Sequence, residues 1–510
     1  MSKTKVLHVA AEIYPHVKTG GLADVIAALP PALIERGIDA RLLLPGLPAI
    51  LDALLETKKL AEFGPSFGAA RVRIVRGRLP ESGVPAYVID APWLYARSGN
   101  PYVSPDGSEW ADNDRRFALL GWVAAHLASG EFAPTWRPDI VHAHDWHAGL
   151  AAAYLAQHPV KLAHTVFTIH NLAYQGLFDL GSARELGLSA DIVSTQGLEF
   201  HGRGNFMKAG LLWSDRLTTV SPRYAAEIRT PEFGCGLEGV LESRADRLTG
   251  ILNGVDYGVW NPATDQWIDH PFTSSDVAGK ALCKAAVQRD LGLDEKPRAP
   301  LFTVVSRLTD QKGMDLLAAA IPALVAQGGQ LALIGTGDRE LERLYREASI
   351  LDPANVAVRL EYDEALAHRL IAAGDAIVVP SRFEPCGLTQ LYGLRYGTVP
   401  IVRRSGGLAD TVLDFDADPG RATGFSFNAS SAAALNAAIS RAIAVYRDRE
   451  SWRSLMERGM AQDFSWAKAA DKYVSIYRGM GPSFNQAGSA HAPPRSGEAA
   501  WRASRAREPN

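Results

Sequence analysis

Two segments of the chain contain the residue types that bind phosphate. Lys18 stands just before Gly20 and Gly21, shortly after the first apolar run of the sequence. Glycine lets a backbone approach an oxyanion closely, and the start of a helix adds N–H groups. Arg307 and Lys312 follow a later apolar run, where an arginine would grip phosphate oxygens as a planar fork and a lysine would act as a point charge. These residues predict two sites for a phosphate or diphosphate.

A third polar segment, Ser381 to Gln390, follows another apolar run and opens a predicted helix. Glu384 would face a substrate rich in hydroxyl groups, whereas N–H groups at the start of the helix would face a phosphate. Cys386 is a poor candidate nucleophile because no base stands near it in the sequence, so we interpret it as a packing or backbone contact. The N–H groups expected at the phosphate are those of Gly387, Leu388 and Thr389.

Two further segments suit sugar hydroxyls better than phosphate. The segment from His142 to His147 contains Asp145 and a tryptophan just after an apolar run. His170 and Asn171 directly follow the next run. A carboxylate or amide hydrogen-bonds to hydroxyls while an indole covers a sugar face. The three histidines of the first segment invite a metal interpretation, but strand alternation would send only two of them to one side. We therefore expect no metal there.

Short apolar runs that end in turn-forming residues recur along the chain, each followed by an amphipathic stretch, and they position these segments. This alternation is typical of βα units in parallel sheets. Turn formers around Asn253 to Pro262 separate two groups of runs, so we predict an α/β protein with two doubly wound sheets and ligands in the cleft between the domains. The predicted strands are Val6 to Ala11, Arg41 to Leu44, Ala86 to Ile89, Ile140 to Ala143, Thr165 to Ile169, Leu217 to Val220, Leu301 to Val305, Leu331 to Ile334, Val356 to Leu360, Ala376 to Val379 and Thr398 to Val402.

The sequence Gly-Gly-Leu-Ala-Asp occurs twice, at residues 20–24 and at residues 406–410, each time two residues after a basic residue. Coincidence is one explanation; the other is a pair of glycine-rich loops that serve one ligand. The acidic segment Asp414 to Asp418 resembles a metal-binding motif of nucleotide-sugar enzymes but lies away from any predicted strand end, so we interpret it as a solvated loop. Gly234 to Gly239 fits GxGxxG without a preceding strand, which excludes a dinucleotide fingerprint.

Composition bounds the class of protein. The chain has 510 residues, 53 Lys and Arg against 56 Asp and Glu, and a formal charge of −3, without the basic excess of proteins that coat nucleic acid. Three cysteines without a CxxC pair argue against a disulfide framework and a structural zinc. With no signal peptide and no apolar run of membrane length, we expect a cytoplasmic protein without a membrane partner. Residues 481–510 are predicted to be a disordered tail.

Taken together, the motifs resemble those of bacterial glycogen synthases and plant starch synthases. The motifs are Lys18 to Val25, His144 to His147, His170 to Gly176, Asn253 to Asp256, Arg307 with Lys312, and Ser381 to Gly393. The resemblance implies a GT-B fold with two Rossmann-like domains across a cleft. Residues 1–255 would form the glucan acceptor side and residues 256–464 the nucleotide-sugar side, with a helix at about 465–480 packing back on the first domain.

The resemblance also implies the reaction: transfer of glucose from ADP-glucose to the non-reducing end of an α-1,4-glucan such as glycogen, with the anomeric configuration retained. Neither a metal nor pyridoxal phosphate is expected, and ADP-glucose is a substrate rather than a cofactor. The implied catalytic residues are His170, Glu384, Arg307, Lys312 and Asp145. Those implied to bind the nucleotide sugar are Lys18, Gly20, Gly21, Asp24, Asn171, Tyr362, Cys386, Gly387, Leu388 and Thr389. Tyr95 is implied to contact the acceptor.

One position departs from the wider pattern of retaining enzymes. Many relatives have Glu-x7-Glu, but Tyr392 stands eight residues after Glu384, so the ribose contact of a second carboxylate is replaced or absent. Three alternatives remain open: the same reaction with UDP-glucose, a glucan phosphorylase with pyridoxal phosphate, and a non-catalytic glucan-binding protein. The sequence does not indicate the oligomeric state.

Overall fold

The computed structural model describes residues 3–481, so the predicted disordered tail lies, except for its first residue, outside the described residues. The chain divides into two compact units. Among the described residues, the N-terminal unit comprises 3–220, Ala225–Ile251 and 466–481. The C-terminal unit comprises Ser221–Tyr224 and Leu252–Ser465. The division at 251/252 lies just before the turn formers that begin at Asn253 and near the predicted boundary after residue 255.

The secondary structure alternates between strands and helices along most of the described chain. The strands are β1 (Lys5–Val9), β2 (Asp39–Pro45), β3 (Leu55–Phe63), β4 (Val72–Arg78), β5 (Pro85–Asp90), β6 (Ile140–His144), β7 (His164–Ile169), β8 (Leu177–Asp179), β9 (Glu199–Phe200), β10 (Arg203–Asn205), β11 (Arg216–Thr219), β12 (Leu248–Gly250), β13 (Leu301–Val305), β14 (Gln330–Ile334), β15 (Val356–Arg359), β16 (Ala376–Val379), β17 (Val399–Arg403) and β18 (Phe425–Phe427). The helices are α1 (Gly21–Glu35), α2 (Pro48–Ala53), α3 (Pro92–Tyr95), α4 (Asn113–Ser129), α5 (Leu150–Ala156), α6 (Ala190–Val193), α7 (Phe206–Trp213), α8 (Pro222–Glu227), α9 (Glu238–Ser243), α10 (Ala278–Leu291), α11 (Met314–Ala326), α12 (Arg339–Leu351), α13 (Glu364–Ala373), α14 (Thr389–Arg395), α15 (Gly406–Thr411), α16 (Ala432–Arg447), α17 (Arg449–Met460) and α18 (Trp466–Gly479). Short 3-10 turns lie at Trp146–Ala148, Leu180–Ser182, Ala245–Arg247 and Asp310–Lys312.

Within the described residues, the N-terminal unit has a nine-stranded sheet in the order β12-β11-β7-β6-β1-β2-β5-β4-β3. Neighbours pair in parallel except where β4 meets β3 and β5. All six runs predicted in this half form strands of the sheet, which confirms the α/β class. The sequence reasoning missed β3, β4 and β12. β3 is largely exposed and rich in charge and so lacks the apolar run of a buried strand, and β12 has only 3 residues.

The order of the central strands of this sheet explains why distant segments meet. β6 pairs in parallel with β1 on one side and with β7 on the other. Since the carboxyl ends of parallel strands meet at one edge of a sheet, the segments that follow β1, β6 and β7 share that edge. These segments carry the glycine-rich loop, Asp145 and His170.

The last described helix, α18, belongs to the N-terminal unit and packs against α1. Its apolar face, including Trp466 and Tyr473, lies in one core with Val25 and Leu29 of α1. The hydroxyl of Tyr477 also hydrogen-bonds to Nδ1 of a buried β6 histidine, His142, at 2.7 Å. An amphipathic helix at this position thus covers the sheet by burying its apolar stripe, as such helices do.

Within the described residues, the C-terminal unit has a six-stranded sheet in the order β15-β14-β13-β16-β17-β18, with all neighbours parallel. Helices α11 and α16 lie in one core with its central strands. The segments after β13, β16 and β17 meet at one edge and carry Arg307, Glu384 and the second glycine pair. Among the helices of the described chain, none combines the length and the apolar character needed to cross a membrane.

Candidate active site

Asp145 lies directly after β6 in a conformation that non-glycine residues rarely adopt, with φ 62° and ψ 179°. Such backbone strain costs about 1–3 kcal/mol and is typical of functional sites. The side chain is 6% exposed, and its Oδ1 is buried without a hydrogen-bond partner among the described residues. Burial raises the pKa of Asp145 to about 8, against the opposing effect of nearby backbone N–H groups. A protonated carboxyl held in this way is ready to bind a hydroxyl.

His170 lies directly after β7, at the same edge of the sheet. Its Nε2 is 3.1 Å from Nδ1 of His144 on the neighbouring strand. His144 in turn contacts Nδ1 of His8 on β1 through its Nε2, at 3.0 Å. Burial lowers the pKa of His170 to about 3, so the ring is neutral at physiological pH. The structure thus brings His170 and Asp145 together on adjacent strand ends, and adds two histidines that the sequence reasoning did not assign to the site.

The glycine-rich loop after β1 is held by a buried carboxylate. Glu12, 2% exposed, accepts hydrogen bonds from the backbone N–H and from the hydroxyl of Thr19, both at 2.6 Å. The Tyr102 hydroxyl also donates to Glu12. Burial raises the pKa of Glu12, although these hydrogen bonds oppose the effect. The loop residues therefore have a fixed support.

The charged residues of this loop pair with each other. Lys18 Nζ lies 3.0 Å from Asp24 Oδ1 and 5.0 Å from the centre of the Tyr14 ring. Gly20 is the N-cap of α1, which begins at Gly21, and a Cβ placed on Gly20 would meet no heavy atom within 4 Å. The start of α1 is therefore open to a ligand that approaches Gly20 closely.

Tyr95 does not have the surroundings expected of an acceptor contact. Its side chain is 1% exposed and its hydroxyl donates to the carbonyl of Arg116 at 2.7 Å, because this face of the short helix α3 packs inward. A glucan in solvent does not reach this ring in the structure, which contradicts the expected contact. Trp93, on the same helix, is 69% exposed. Asn171 is half-buried and its Oδ1 accepts a hydrogen bond from the N–H of Ala173 at 3.1 Å.

Three buried histidines, His8, His142 and His144, have ring nitrogens within 4.8 Å of one another, the closest approach to a metal-ligand set among residues 3–481. Their geometry fits a hydrogen-bonded stack better. The rings of His142 and His144 are stacked 4.1 Å apart, so their in-plane lone pairs do not converge. Both nitrogens of His142 are engaged, one by Tyr477 and the other by Thr168 Oγ1 at 2.6 Å. We assign no metal to this cluster.

In the C-terminal unit, Lys312 and Glu384 form a partly buried ion pair. Lys312 Nζ is 2.6 Å from Glu384 Oε2, and the Ser381 hydroxyl donates to the same oxygen at 2.9 Å. Glu384 is 6% exposed, whereas one fifth of the Lys312 side chain is accessible. Gly313, with φ 66°, follows the lysine, and a Cβ there would lie 2.2 Å from the Pro380 carbonyl. The close approach of these two segments therefore requires glycine at this position.

Arg307 is exposed, and its guanidinium has no hydrogen bond or ion pair with any residue in the described part of the chain. The turn between it and Lys312 is held by Arg382, which donates to both carboxylate oxygens of Asp315 at 2.6 and 2.8 Å. Arg382 also donates to the Asp310 carbonyl at 2.8 Å. The turn after β13 thus carries two cations, the unpaired Arg307 and the paired Lys312, and Arg382 holds this turn in place.

The segment that ends at α14 is packed tightly against the second glycine pair. A Cβ on Gly406 would lie 2.0 Å from the Glu384 carbonyl, and one on Gly407 would lie 2.1 Å from the Cys386 carbonyl. Burial raises the pKa of Cys386 to about 12, so its thiol is unreactive, as expected for a packing residue. The remaining predicted residues of this segment, Gly387, Leu388 and Thr389, are half-buried at the start of α14.

Tyr362 and Tyr392 have opposite surroundings. Tyr362 lies in the loop after β15, is 65% exposed and donates from its hydroxyl to Glu364, so its ring is available for stacking. Tyr392 is 8% exposed and stacks on Trp260 with ring centres 3.8 Å apart. Trp260 stacks on His368 by its other face. The residue that replaces the second glutamate of Glu-x7-Glu is thus a core residue.

The acidic segment 414–418 is not simply a solvated loop, as expected from the sequence. Asp414 is half-buried and accepts hydrogen bonds from the N–H and the hydroxyl of Ser426. Arg441 donates to the same carboxylate at 3.1 Å. These contacts connect the segment to β18 and α16, and only the later residues of the segment are exposed.

Sequence reasoning assigned no individual role to several residues that support the site rather than form its surface: Glu12, Tyr102, His8, Arg382 and Asn253. Asn253 is 6% exposed, and its Oδ1 is buried without a partner among the described residues. Glu12 carried a usable signal, because a carboxylate that directly follows a buried apolar strand rarely lacks a partner. Tyr102, which donates to Glu12, and His144, which contacts His8, are distant in sequence from these residues, so these contacts could not be read from local spacing.

The two edges offer different chemistry. The edge in the N-terminal unit combines neutral histidines with a protonated carboxyl, groups that hydrogen-bond to neutral hydroxyls. The edge in the C-terminal unit combines Arg307, Lys312 and Glu384, groups that stabilise a phosphate and orient a polar substrate.

Two family models match the chain. Residues 5–243 match the starch synthase catalytic domain, and residues 288–456 match the glycosyl transferases group 1. A glycogen synthase of Paramagnetospirillum magneticum is 50% identical over 481 residues, which cover 93% of this chain and 97% of the relative. A glycogen synthase of Variovorax paradoxus is 51% identical over 487 residues, which cover 93% of this chain and 98% of the relative.

Solved structures give the same picture. The catalytic domain of starch synthase IV from Arabidopsis thaliana, bound to ADP and acarbose, superposes with a TM-score of 0.84 at 34% sequence identity, covering 94% of this chain and 99% of that one. A sucrose-phosphate synthase from Thermosynechococcus elongatus has a TM-score of 0.58 at 18% identity, with the same coverage. The second likeness concerns the fold alone.

Proposed function

The chain belongs to the family of glycogen and starch synthases, glycosyltransferases of the GT-B fold, and on that premise we propose that it transfers glucose from ADP-glucose to the non-reducing end of an α-1,4-glucan with retention of configuration. The observation that carries the proposal is the cationic edge of the C-terminal unit. There an unpaired Arg307 and a Lys312 paired with Glu384 follow β13. The ligands bound to the Arabidopsis relative, ADP and acarbose, support a nucleotide sugar and a glucan as the substrates.

In the proposed reaction, breaking the bond between glucose and ADP leaves negative charge on the diphosphate. Arg307 and Lys312 stabilise that developing charge, which is the kind of interaction that lowers an activation barrier most. N–H groups of Gly387, Leu388 and Thr389 assist them. Because side-chain cations supply this charge, we propose that the reaction needs neither a metal nor pyridoxal phosphate.

Asp145 and His170 hold the transferred glucose by its hydroxyls, with Asn171 beside them, and Glu384 would hydrogen-bond to a sugar hydroxyl. The proposed contacts suit these groups. With a pKa of about 8, Asp145 is protonated at neutral pH, and with a pKa of about 3, His170 is neutral. Lys18 and Asp24, with the open backbone at Gly20 and Gly21, would contact the donor. Tyr362 would stack on the adenine. We propose no acceptor contact for the buried Tyr95.

Side-by-side turnover with ADP-glucose and UDP-glucose tests the donor. We expect transfer of labelled glucose to glycogen from ADP-glucose with a kcat/KM at least about tenfold higher than from UDP-glucose, a difference of about 1.4 kcal/mol in the activation barrier. Faster turnover with UDP-glucose would contradict the choice of nucleotide while leaving the family assignment intact. Glycogen binding without turnover of either donor would favour the non-catalytic alternative.

Two further measurements separate the remaining alternatives. Excess EDTA should leave glucose transfer unchanged, and loss of activity that a divalent ion restores would contradict a metal-independent reaction. The purified protein should lack the absorbance of a lysine-bound pyridoxal phosphate, whose presence would favour a phosphorylase. We also propose a cytoplasmic location, which the three free cysteines support.

A further inference from the structure

A chain of buried histidines leads from the middle of the N-terminal sheet to the proposed sugar site. His8 Nδ1 lies 3.0 Å from His144 Nε2, and His144 Nδ1 lies 3.1 Å from His170 Nε2. His8 and His144 are fully buried, and His170 is 9% exposed. The three rings come from β1, β6 and the end of β7, strands that are adjacent in the sheet.

All three rings are neutral. Burial lowers the pKa of His8 and of His170 to about 3 and lowers that of His144 well below its usual value. A neutral imidazole carries one N–H and one acceptor nitrogen. Each of the two contacts therefore holds one proton, and all the rings must point their N–H groups in the same direction along the chain.

The end of the chain at His8 selects between the two directions. His8 Nε2 is buried without a hydrogen-bond partner among the described residues. If the protons pointed toward His8, this nitrogen would carry a buried N–H without an acceptor. Buried N–H groups without an acceptor are rarer in folded proteins than acceptors without a donor. The favoured direction places the N–H groups of His8 and His144 on Nδ1, so that His170 accepts at Nε2.

We propose that His144, held by His8, is a positioning residue that fixes His170 as the tautomer with its proton on Nδ1. His170 then has one nitrogen engaged by the protein and one N–H to offer a hydroxyl oxygen of the transferred sugar. This inference rests on the proposed function only for the identity of the ligand. His142 is not part of the chain, because its nitrogens contact Tyr477 and Thr168 instead.

Two substitutions of His144 form a matched pair. The amide of asparagine occupies about the position of Nδ1, whereas the amide of glutamine occupies about the position of Nε2. His144→Asn therefore keeps a hydrogen-bond donor toward His170, and His144→Gln keeps only the contact with His8. Both remove the buried ring, so thermal denaturation should show similar losses of stability.

We expect the kcat for glucose transfer to fall roughly tenfold to a hundredfold in His144→Gln, as for other partners that orient an active-site ligand. In His144→Asn it should fall less than about threefold, with the KM for glycogen unchanged in both. In the same way, His8→Asn should retain more activity than His8→Ala. Equal activities of the two His144 variants at equal stability would overturn the proposal.

Tautomers can be measured without any turnover. In protein labelled with 15N-histidine, with the His170 signals assigned by comparison with His170→Asn, the shifts should show Nδ1 protonated and Nε2 unprotonated. His144→Gln should convert His170 to the Nε2–H form that a free imidazole side chain prefers, and His144→Asn should not. An Nε2–H form in the wild-type protein would overturn the proposal. If His170 has the expected tautomer but the protein transfers no glucose, the proposed function fails and the positioning role stands.

Discussion

The carboxyl-end edges of the two sheets differ in how they handle charge. In the N-terminal unit, burial keeps His170 neutral and holds Asp145 protonated up to a pKa of about 8. In the C-terminal unit, Arg307 is exposed without a partner among the described residues, and Lys312 pairs with Glu384 at 2.6 Å. The N-terminal edge combines neutral groups with the paired Lys18 and Asp24, whereas the C-terminal edge has a cation without a partner among the described residues.

The difference follows from what each edge is proposed to bind. Sugar hydroxyls are neutral, and hydrogen bonds to them are strongest when water is excluded and every buried polar group has a partner. A diphosphate needs cations, and a fully buried cation would lose more in desolvation than it gains. The same arrangement of parallel strands thus supports two kinds of site, and the burial of the loops decides which one forms.

The repeated sequence Gly-Gly-Leu-Ala-Asp shows the same contrast on a smaller scale. At residues 20–24 it begins the 15-residue helix α1, with open space above Gly20. At residues 406–410 it begins the short helix α15, where the glycines press against the Glu384 and Cys386 carbonyls. The space next to Gly20 in the first copy is open to a ligand. In the second copy the protein's own backbone fills the corresponding space next to Gly406 and Gly407. The two copies therefore differ in structure.

The largest effect should come from the charged edge. Arg307→Ala and Lys312→Ala should each lower kcat/KM for ADP-glucose by roughly 10²–10³, the range found when one group that stabilises a developing negative charge is removed. Steady-state kinetics with glycogen as acceptor measures this. Lys312→Ala should also lower the melting temperature, because it leaves Glu384 buried and unpaired. Arg307→Ala should not.

Arg343 provides the control for this prediction. It is an exposed arginine on α12 of the same unit and pairs with Glu340 and Glu347, and such pairs contribute little. Arg343→Ala should leave both kinetics and melting temperature unchanged. If Arg307→Ala also left the kinetics unchanged, the charged edge would not act on the diphosphate, and the comparison of the two edges would fail.

The second effect distinguishes the two glycine pairs. Gly407→Ala places a Cβ 2.1 Å from the Cys386 carbonyl, and a clash with backbone should lower the free energy of unfolding by about 3 kcal/mol. Gly20→Ala meets no neighbour within 4 Å and Gly20 has an extended φ of −164°. Its stability should stay within about 0.5 kcal/mol of wild type, while its KM for ADP-glucose rises. Chemical denaturation and donor kinetics test the pair, and similar stabilities would contradict the contrast.

The third effect concerns pH. Because the pKa of Asp145 is raised to about 8 in the folded protein, the folded state keeps a proton that the unfolded chain has lost between about pH 4 and pH 8. The free energy of unfolding therefore falls as pH rises through that window, by at most about 1.4 kcal/mol per pH unit. Asp145→Asn should remove this slope, so the variant gains stability relative to wild type as pH rises from about 5 to about 8.

Asp414, in the C-terminal unit, should make the free energy of unfolding depend on pH in the opposite direction. Burial opposes its ionisation, but hydrogen bonds from Arg441 and Ser426 outweigh burial and lower its pKa. Its contribution to stability is present above about pH 4 and is lost as pH falls. Asp414→Asn should therefore lose stability relative to wild type near neutral pH and approach it in acid. Urea denaturation at several pH values measures both variants, and slopes of the same sign would contradict the electrostatic contrast.

The sequence predicted the sheets well and the supports of the sites poorly. Apolar runs bounded by turn formers identify buried parallel strands, so all eleven predicted runs overlap strands of the structure. Asp145 and Glu384 could be placed at strand ends for the same reason. The roles of Glu12 and Arg382 could not, because they depend on contacts made by loops. Nor could the burial of Tyr95, since a short helix gives no periodicity that shows which face packs inward.

The smallest effect on kinetics should come from substituting Tyr362, a proposed site residue that is exposed to solvent rather than buried at the edge of a sheet. Its ring is 65% exposed, so stacking on an adenine would gain about 1 kcal/mol. Tyr362→Ala should therefore raise the KM for ADP-glucose roughly fivefold with little change in kcat. Tyr362→Phe, which keeps the ring and loses the hydroxyl contact with Glu364, should stay near wild type. Because a smaller pyrimidine ring stacks less, the KM for UDP-glucose should change less in Tyr362→Ala. An equal change for both donors would show that the tyrosine does not select the base.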